Sequence, residues 1–144
     1  MTENDRTLCA VTARLLQAAS VLASWGLAMS VLATAVLVFA GSALPILSVV
    51  GFGAVALLGV LERYLAFRLY FDAGLFKDLA SSISAPLEAL DSALQRLGLR
   101  TASGLPRPLE ERVAGARQLL QRHGIAVVCQ SGLLLLALLA QSLR

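Results

Sequence analysis

Apolar residues run almost without a charged interruption from Leu15 to Leu61, and again from Gly124 to Leu143. Charged side chains are confined to Met1–Arg14, to the block from Glu62 to His123, and to Arg144. A helix rises about 1.5 Å per residue and the hydrocarbon layer is about 30 Å thick, so one crossing takes roughly 20 residues. The first run is long enough for two crossings and the second for one. The first divides at Gly41-Ser-Ala-Leu-Pro45, where Gly and Ser favour a turn and Pro suits the first turn of a new helix. Helix one is expected from about Leu15 to Ala40 and helix two from Pro45. A transmembrane barrel is excluded because neither run alternates with period two. A cleaved leader is not expected, since the apolar run exceeds the usual length of roughly 7–15 residues and its flank carries Glu3 and Asp5.

The block between the runs keeps a helical period. Past Glu62, helix two has no Pro and one Gly as far as Ala80, giving a helix of about 54 Å from Pro45. Tyr64, Phe67, Tyr70 and Phe71 gather on one side of it, and Glu62, Arg68 and Asp72 on another. Ser81-Ser-Ile-Ser84 interrupts the pattern, and a short amphipathic helix is expected over 86–97. Gly98 suits the left-handed position that ends it. After the linker 101–108, Leu109, Val113, Ala116 and Leu120 form a stripe that continues into the third apolar run. The Phe67/Phe71 and Leu109/Val113/Leu120 stripes are expected to face each other.

The expected fold is an all-α integral membrane protein with three transmembrane helices. Helices two and three extend into a cytoplasmic antiparallel helical stalk, bridged by the short amphipathic helix. The parts are a cytoplasmic N-terminal segment (1–14), a transmembrane hairpin (15–61), a cytoplasmic amphipathic region (62–122), and the third transmembrane helix with the C-terminus (123–144).

Composition agrees. The chain is 58% hydrophobic and 15% charged, against roughly 45–50% apolar and about 25% charged in soluble domains. The net charge of +3 acts as a topology signal, not as a nucleic-acid footprint, because the basic residues cluster beside the spans. Arg6 and Arg14 precede helix one, the basic residues from Arg63 to Arg122 follow helix two, and the Gly41–Leu44 turn has none. The N-terminus is then cytoplasmic and the C-terminus outside. Lys77 is the only lysine among 12 basic residues; that arginine bias suits a high-GC bacterium, and with the three spans the expected location is a bacterial inner membrane.

Candidate chemistry is sparse. No Gly-rich phosphate loop, Ser/His/Asp set or Cys cluster is present, so neither an enzyme nor a bound cofactor or metal is expected. His123 is the only histidine and reads as an interfacial residue, Cys9 and Cys129 as free thiols. No Asp, Glu, His, Lys or Arg lies within the expected spans, which argues against an ion-coupled transporter. Ser20, Ser24 and Ala28 on helix one, with Gly51 on helix two and Gln130 on helix three, form a candidate helix-association face. Arg63, Tyr64, Phe67, Arg68, Phe71 and Lys77 form a candidate belt at the lipid headgroups. The belt is also a candidate pocket for an anionic headgroup or a ring-bearing lipid such as a quinone.

The expected function is that of a non-catalytic accessory or assembly subunit. Its partners are membrane lipids and either itself or a larger membrane complex, with no nucleic acid. The alternatives are a small oligomeric pore lined by helix-one hydroxyls, and a lipid- or quinone-binding membrane protein.

Overall fold

The structure is a computed structural model that describes residues 2–81, 92, 95–96, 98 and 108–142. The described residues contain three long helices and no strand: α1 (Glu3–Ala40), α2 (Ile46–Ser81) and α3 (Leu109–Ser142). All three are long and apolar enough to cross a membrane, as in a multi-pass membrane protein. A 3₁₀ turn over Gly41–Ala43 joins α1 to α2 where the Gly-Ser-Pro signal lies. The expected helix over 86–97 and the linker after it lie largely outside the described residues. Of that stretch, Gly98 has a φ of 68° and its N–H donates to Gln95 O at 3.0 Å, the left-handed position its sequence context predicts.

α1 begins at Glu3, well before the expected start near Leu15. Its N-terminus carries a capping box: Asp5 N–H donates to Thr2 Oγ1 at 3.2 Å, and Thr2 N–H to Asp5 Oδ2 at 2.8 Å. Two otherwise unpaired backbone donors are satisfied there, so the polar leader has no reason to unwind. Its core face then continues inward through Cys9, Ala13, Leu16 and Ala19.

Two apolar clusters hold the bundle. The one at the N-terminal end of α1 joins that face to Leu69, Ala73, Phe76 and Leu79 of α2 and to Leu109 and Ala116 of α3. The one toward the hairpin turn joins Met29 and Ala33 to Phe52 and Val55, and to Val127 and Ala137. The first half of α1 thus packs against both α2 and α3 there, a third wall that the two-helix expectation lacked. The expected face of α2 is also corrected. Phe67 and Phe71 are 70% and 40% exposed, whereas Leu69, Ala73, Phe76 and Leu79 are buried. That buried row extends the stripe Phe52-Val55-Gly59-Glu62 along the same side of the helix, and the aromatic residues fall beside it.

Outside the clusters the surface is greasy. Val21, Trp25, Val31, Leu57, Val60, Ile125, Val128 and Leu135 are all more than half exposed. A water-soluble monomer rarely shows a continuous apolar surface of that extent. The exposed charged side chains, among them Arg68, Lys77, Glu110, Glu111 and Arg117, lie toward the other end of the helices, away from the hairpin turn.

Candidate functional site

Between the two apolar clusters lies a polar layer built from all three helices. Glu62 of α2 and His123 of α3 are both fully buried, with His123 Nε2 2.8 Å from Glu62 Oε1. Arg63 grips the same carboxylate with Nε on Oε2 at 2.8 Å and Nη2 on Oε1 at 3.0 Å. The guanidinium also donates to the Ala23 carbonyl of α1. Arg63 keeps 39% of its side chain exposed, so the pair is wet on one side and dry on the other.

The Glu62 carboxyl thus meets the Arg63 guanidinium on one side and the His123 imidazole on the other. Among the described residues, His123 Nδ1 has no hydrogen-bond partner.

Gln130, fully buried one level closer to the hairpin, donates from Nε2 to Ser30 Oγ at 2.8 Å, to Gly26 O at 3.2 Å and to Val55 O at 3.4 Å. One amide thus bridges α3 to both other helices. Glycine makes room for these groups. A Cβ on Gly26 would sit 2.6 Å from Glu62 Cδ, and one on Gly59 would fall onto Ser30 Oγ. Trp25 Nε1 donates to Ser131 Oγ at 3.3 Å, and Ser48 Oγ to Ala137 O at 3.2 Å.

This layer corrects two sequence expectations. His123 is a buried partner of an acid, not an interfacial residue reaching for water. The bundle interior also holds ionisable groups: Glu62 lies about 24 Å along α2 from Ile46, at the helical rise. A hydrocarbon layer of about 30 Å counted from the hairpin turn would include it. The bundle interior is therefore not free of ionisable groups, and its composition does not speak against coupled transport.

The candidate association face splits. Gly51 packs on Ala137, where an added Cβ would approach the Ala137 Cβ to 2.8 Å, and Gln130 is the bridging amide. Ser20, Ser24 and Ala28 instead point out of the bundle, and Ser24 Oγ bonds back to Ser20 O at 2.8 Å. The candidate belt splits too: Tyr64, Phe67, Arg68, Phe71 and Lys77 are exposed, while Arg63 turns inward to Glu62. Between α1 and α2, a cavity of about 450 Å³ is lined by Leu16, Gln17, Ala23, Arg63, Phe67, Tyr70 and His123, among others. Both cysteines are free, Cys9 buried and Cys129 exposed on α3. Among the described residues, no three of His, Cys, Asp and Glu meet in a group that could hold a metal ion.

Glu62, Arg63, His123 and Gln130 each stand out in the sequence, but as separate features and not as one layer. The signal was present in the period: Val55, Gly59 and Glu62 continue one face of α2, and His123 lies seven positions before Gln130 on one face of α3. No family model, curated protein or solved structure matches the chain.

Proposed function

We propose that this is a small multi-pass protein of a bacterial inner membrane, acting without catalysis as an accessory or assembly subunit. It pairs with a copy of itself or with a larger membrane complex. The observation that carries this reading is the outward placement of Ser20, Ser24 and Ala28. They form a small-residue row that the chain's own core does not use, and such rows let helix backbones approach closely. In this reading the stalk lies in the cytoplasm with the N-terminus, because Arg6, Arg14, Arg68, Lys77, Arg117 and Arg122 cluster at that end and the hairpin turn has no charge. The C-terminus then lies outside.

Purification at native expression after cross-linking in the membrane tests the assembly. A stoichiometric band, lost when Ala28→Leu and Ser24→Leu are combined, is the expected result; a chain that stays monomeric at native level overturns it. A C-terminal alkaline phosphatase fusion tests the orientation and is expected to be active. An inactive fusion reverses the topology.

The exposed aromatic and basic belt favours a second reading, lipid binding at the headgroup level. Tyr64, Phe67 and Phe71 stand beside Arg68 and Lys77 on the outside of α2, the arrangement that anchors helices at interfaces. A pore remains tied to assembly, since Ser24 and Thr34 face outward and bond to their own helix. Any lumen they lined would form between chains.

A further inference from the structure

A groove of about 580 Å³ opens where α1 meets α3, lined by Leu15 of α1 and by Ala114, Arg117, Gln118, Leu120 and Gln121 of α3. It shares no residue with the small-residue row of α1 or with the belt on α2.

The polar layer sets its depth. Glu62 stands about 24 Å along α2 from Ile46, and His123 meets it side by side. Counting back along α3 at the helical rise puts Gln121 about 27 Å and Arg117 about 33 Å from the level of the hairpin turn. The hydrocarbon layer is about 30 Å thick, so the groove straddles its edge. Lipid esters and phosphates lie at that depth.

The chemistry of the groove changes along the same direction. Around the edge are the Arg117 guanidinium and the amides of Gln118 and Gln121, all exposed. Arg117 has no ion-pair or hydrogen-bond partner among the described residues. The exposed Arg14 and Arg122 adjoin Leu15 and Gln121 in the chain, and they too are unpaired among the described residues. The two acids of α3, Glu110 and Glu111, stand about 9 Å or more beyond Arg117, away from the hydrocarbon. Toward the hydrocarbon the same faces turn apolar. Leu22 follows Leu15 on α1, and Ile125 and Val128 follow Gln121 on α3, at helical spacing; they are 40%, 56% and 71% exposed. Trp25 closes the seam farther in by its bond to Ser131. An unpaired guanidinium at phosphate depth, amide donors beside it and an apolar track leading inward match an amphiphile with an anionic phosphate head.

We propose that the groove between α1 and α3 binds an anionic phospholipid. Its phosphate accepts from Arg117 and from the Gln118 and Gln121 amides, and an acyl chain lies along Leu22, Ile125 and Val128. The site goes beyond headgroup contact by the α2 belt, uses other residues, and is independent of the assembly reading.

The test is native mass spectrometry of the full chain in detergent, titrated with dioleoyl phosphatidylglycerol and with dioleoyl phosphatidylcholine. The first phosphatidylglycerol adduct is expected to form about tenfold more tightly than the first phosphatidylcholine adduct. Arg117→Gln is expected to cut that preference to about twofold, while thermal unfolding stays within a few degrees of wild type because the side chain is exposed and unpaired. Gln121→Glu, which sets a carboxylate beside the phosphate, is expected to abolish the preference by a separate route. Arg68→Ala/Lys77→Ala is expected to leave it unchanged. Equal affinity for the two lipids overturns the proposal, as does a preference that survives both Arg117→Gln and Gln121→Glu. A preference lost in Arg68→Ala/Lys77→Ala overturns it in favour of the belt. Excess inorganic phosphate is expected to leave the adduct in place; displacement would assign the groove to a free anion and overturn the lipid.

Discussion

Gly26 carries more of the site than its missing side chain suggests. Its carbonyl accepts from Gln130 Nε2 at 3.2 Å, and its bare Cα leaves the space that the Glu62 carboxylate fills. Gly26→Ala forces that carboxylate away from Arg63 or His123. Overpacking of this kind costs about 1–3 kcal/mol, and a matching drop in thermal stability in detergent is the expected outcome. Asp72 presents a different problem. Burial pushes its carboxyl above the ordinary value of 3.8, and Arg68 pulls in the opposite direction more weakly. A raised folded-state value means that stability is fully present below the ordinary value and is lost as pH rises through the raised one. Asp72→Asn should therefore unfold at a higher temperature than wild type at pH 7. The gap should close as the pH is lowered toward 4.

Among the elements, α1 shows what an N-terminal cap does for a charged leader. Thr2 bonding holds the Asp5 carboxyl below the ordinary value, so the contribution of the ionised form persists at neutral pH and is lost as pH falls through that lowered value. Thr2→Ala is expected to speed amide exchange in the first turn of α1 while leaving the residues around Ala13 and Leu16 protected. Equal loss along the whole helix would show that the cap supports more than its own turn. The number of long helices and the hairpin turn were legible because Gly41, Pro45 and the long charge-free runs act locally. The inward faces were less so. Glu62 adjoins Arg63 at the edge of the charged block, which disguised it as the first polar residue outside the span. Phe67, Tyr70 and Phe71 drew the stalk face toward themselves, although Leu69, Ala73 and Phe76 continue the row that Phe52 and Val55 begin. Thr2 and Asp5 have capping-box spacing, a local signal that the charge count overshadowed.

At the scale of the molecule, the two apolar clusters have different chemistry. The cluster at the N-terminal end of α1 buries Leu69, Phe76 and Leu79; in the proposed topology that end lies in water, where each such burial is worth roughly 1.5–3 kcal/mol. Around the hairpin, Gly51, Gly59, Ala33 and Ala137 permit close approach instead, as suits a region where lipid already solvates apolar groups. The polar layer between them ties three helices together at a cost in desolvation. Removing one partner from a buried ion pair usually destabilises by about 3–5 kcal/mol, whereas replacing both with apolar groups is often neutral or better. Glu62→Leu alone is expected to fall in the lower part of that range, because the stranded Arg63 can turn to water. Glu62→Leu/His123→Leu is expected to recover most of the loss in reversible unfolding, and a double variant as weak as the sum of the singles would contradict this.

The same layer sets a condition on how the chain is made. α1 and α2 leave the ribosome before α3, and their hairpin alone presents a carboxylate held by Arg63, together with the Ser30 hydroxyl and the Val55 carbonyl. The matching imidazole and amide arrive last, on a single helix. They meet their partners at one depth and one rotation, which fixes the register of α3 against the hairpin. A chain interrupted before residue 123 lacks the imidazole that meets Glu62 in the complete bundle.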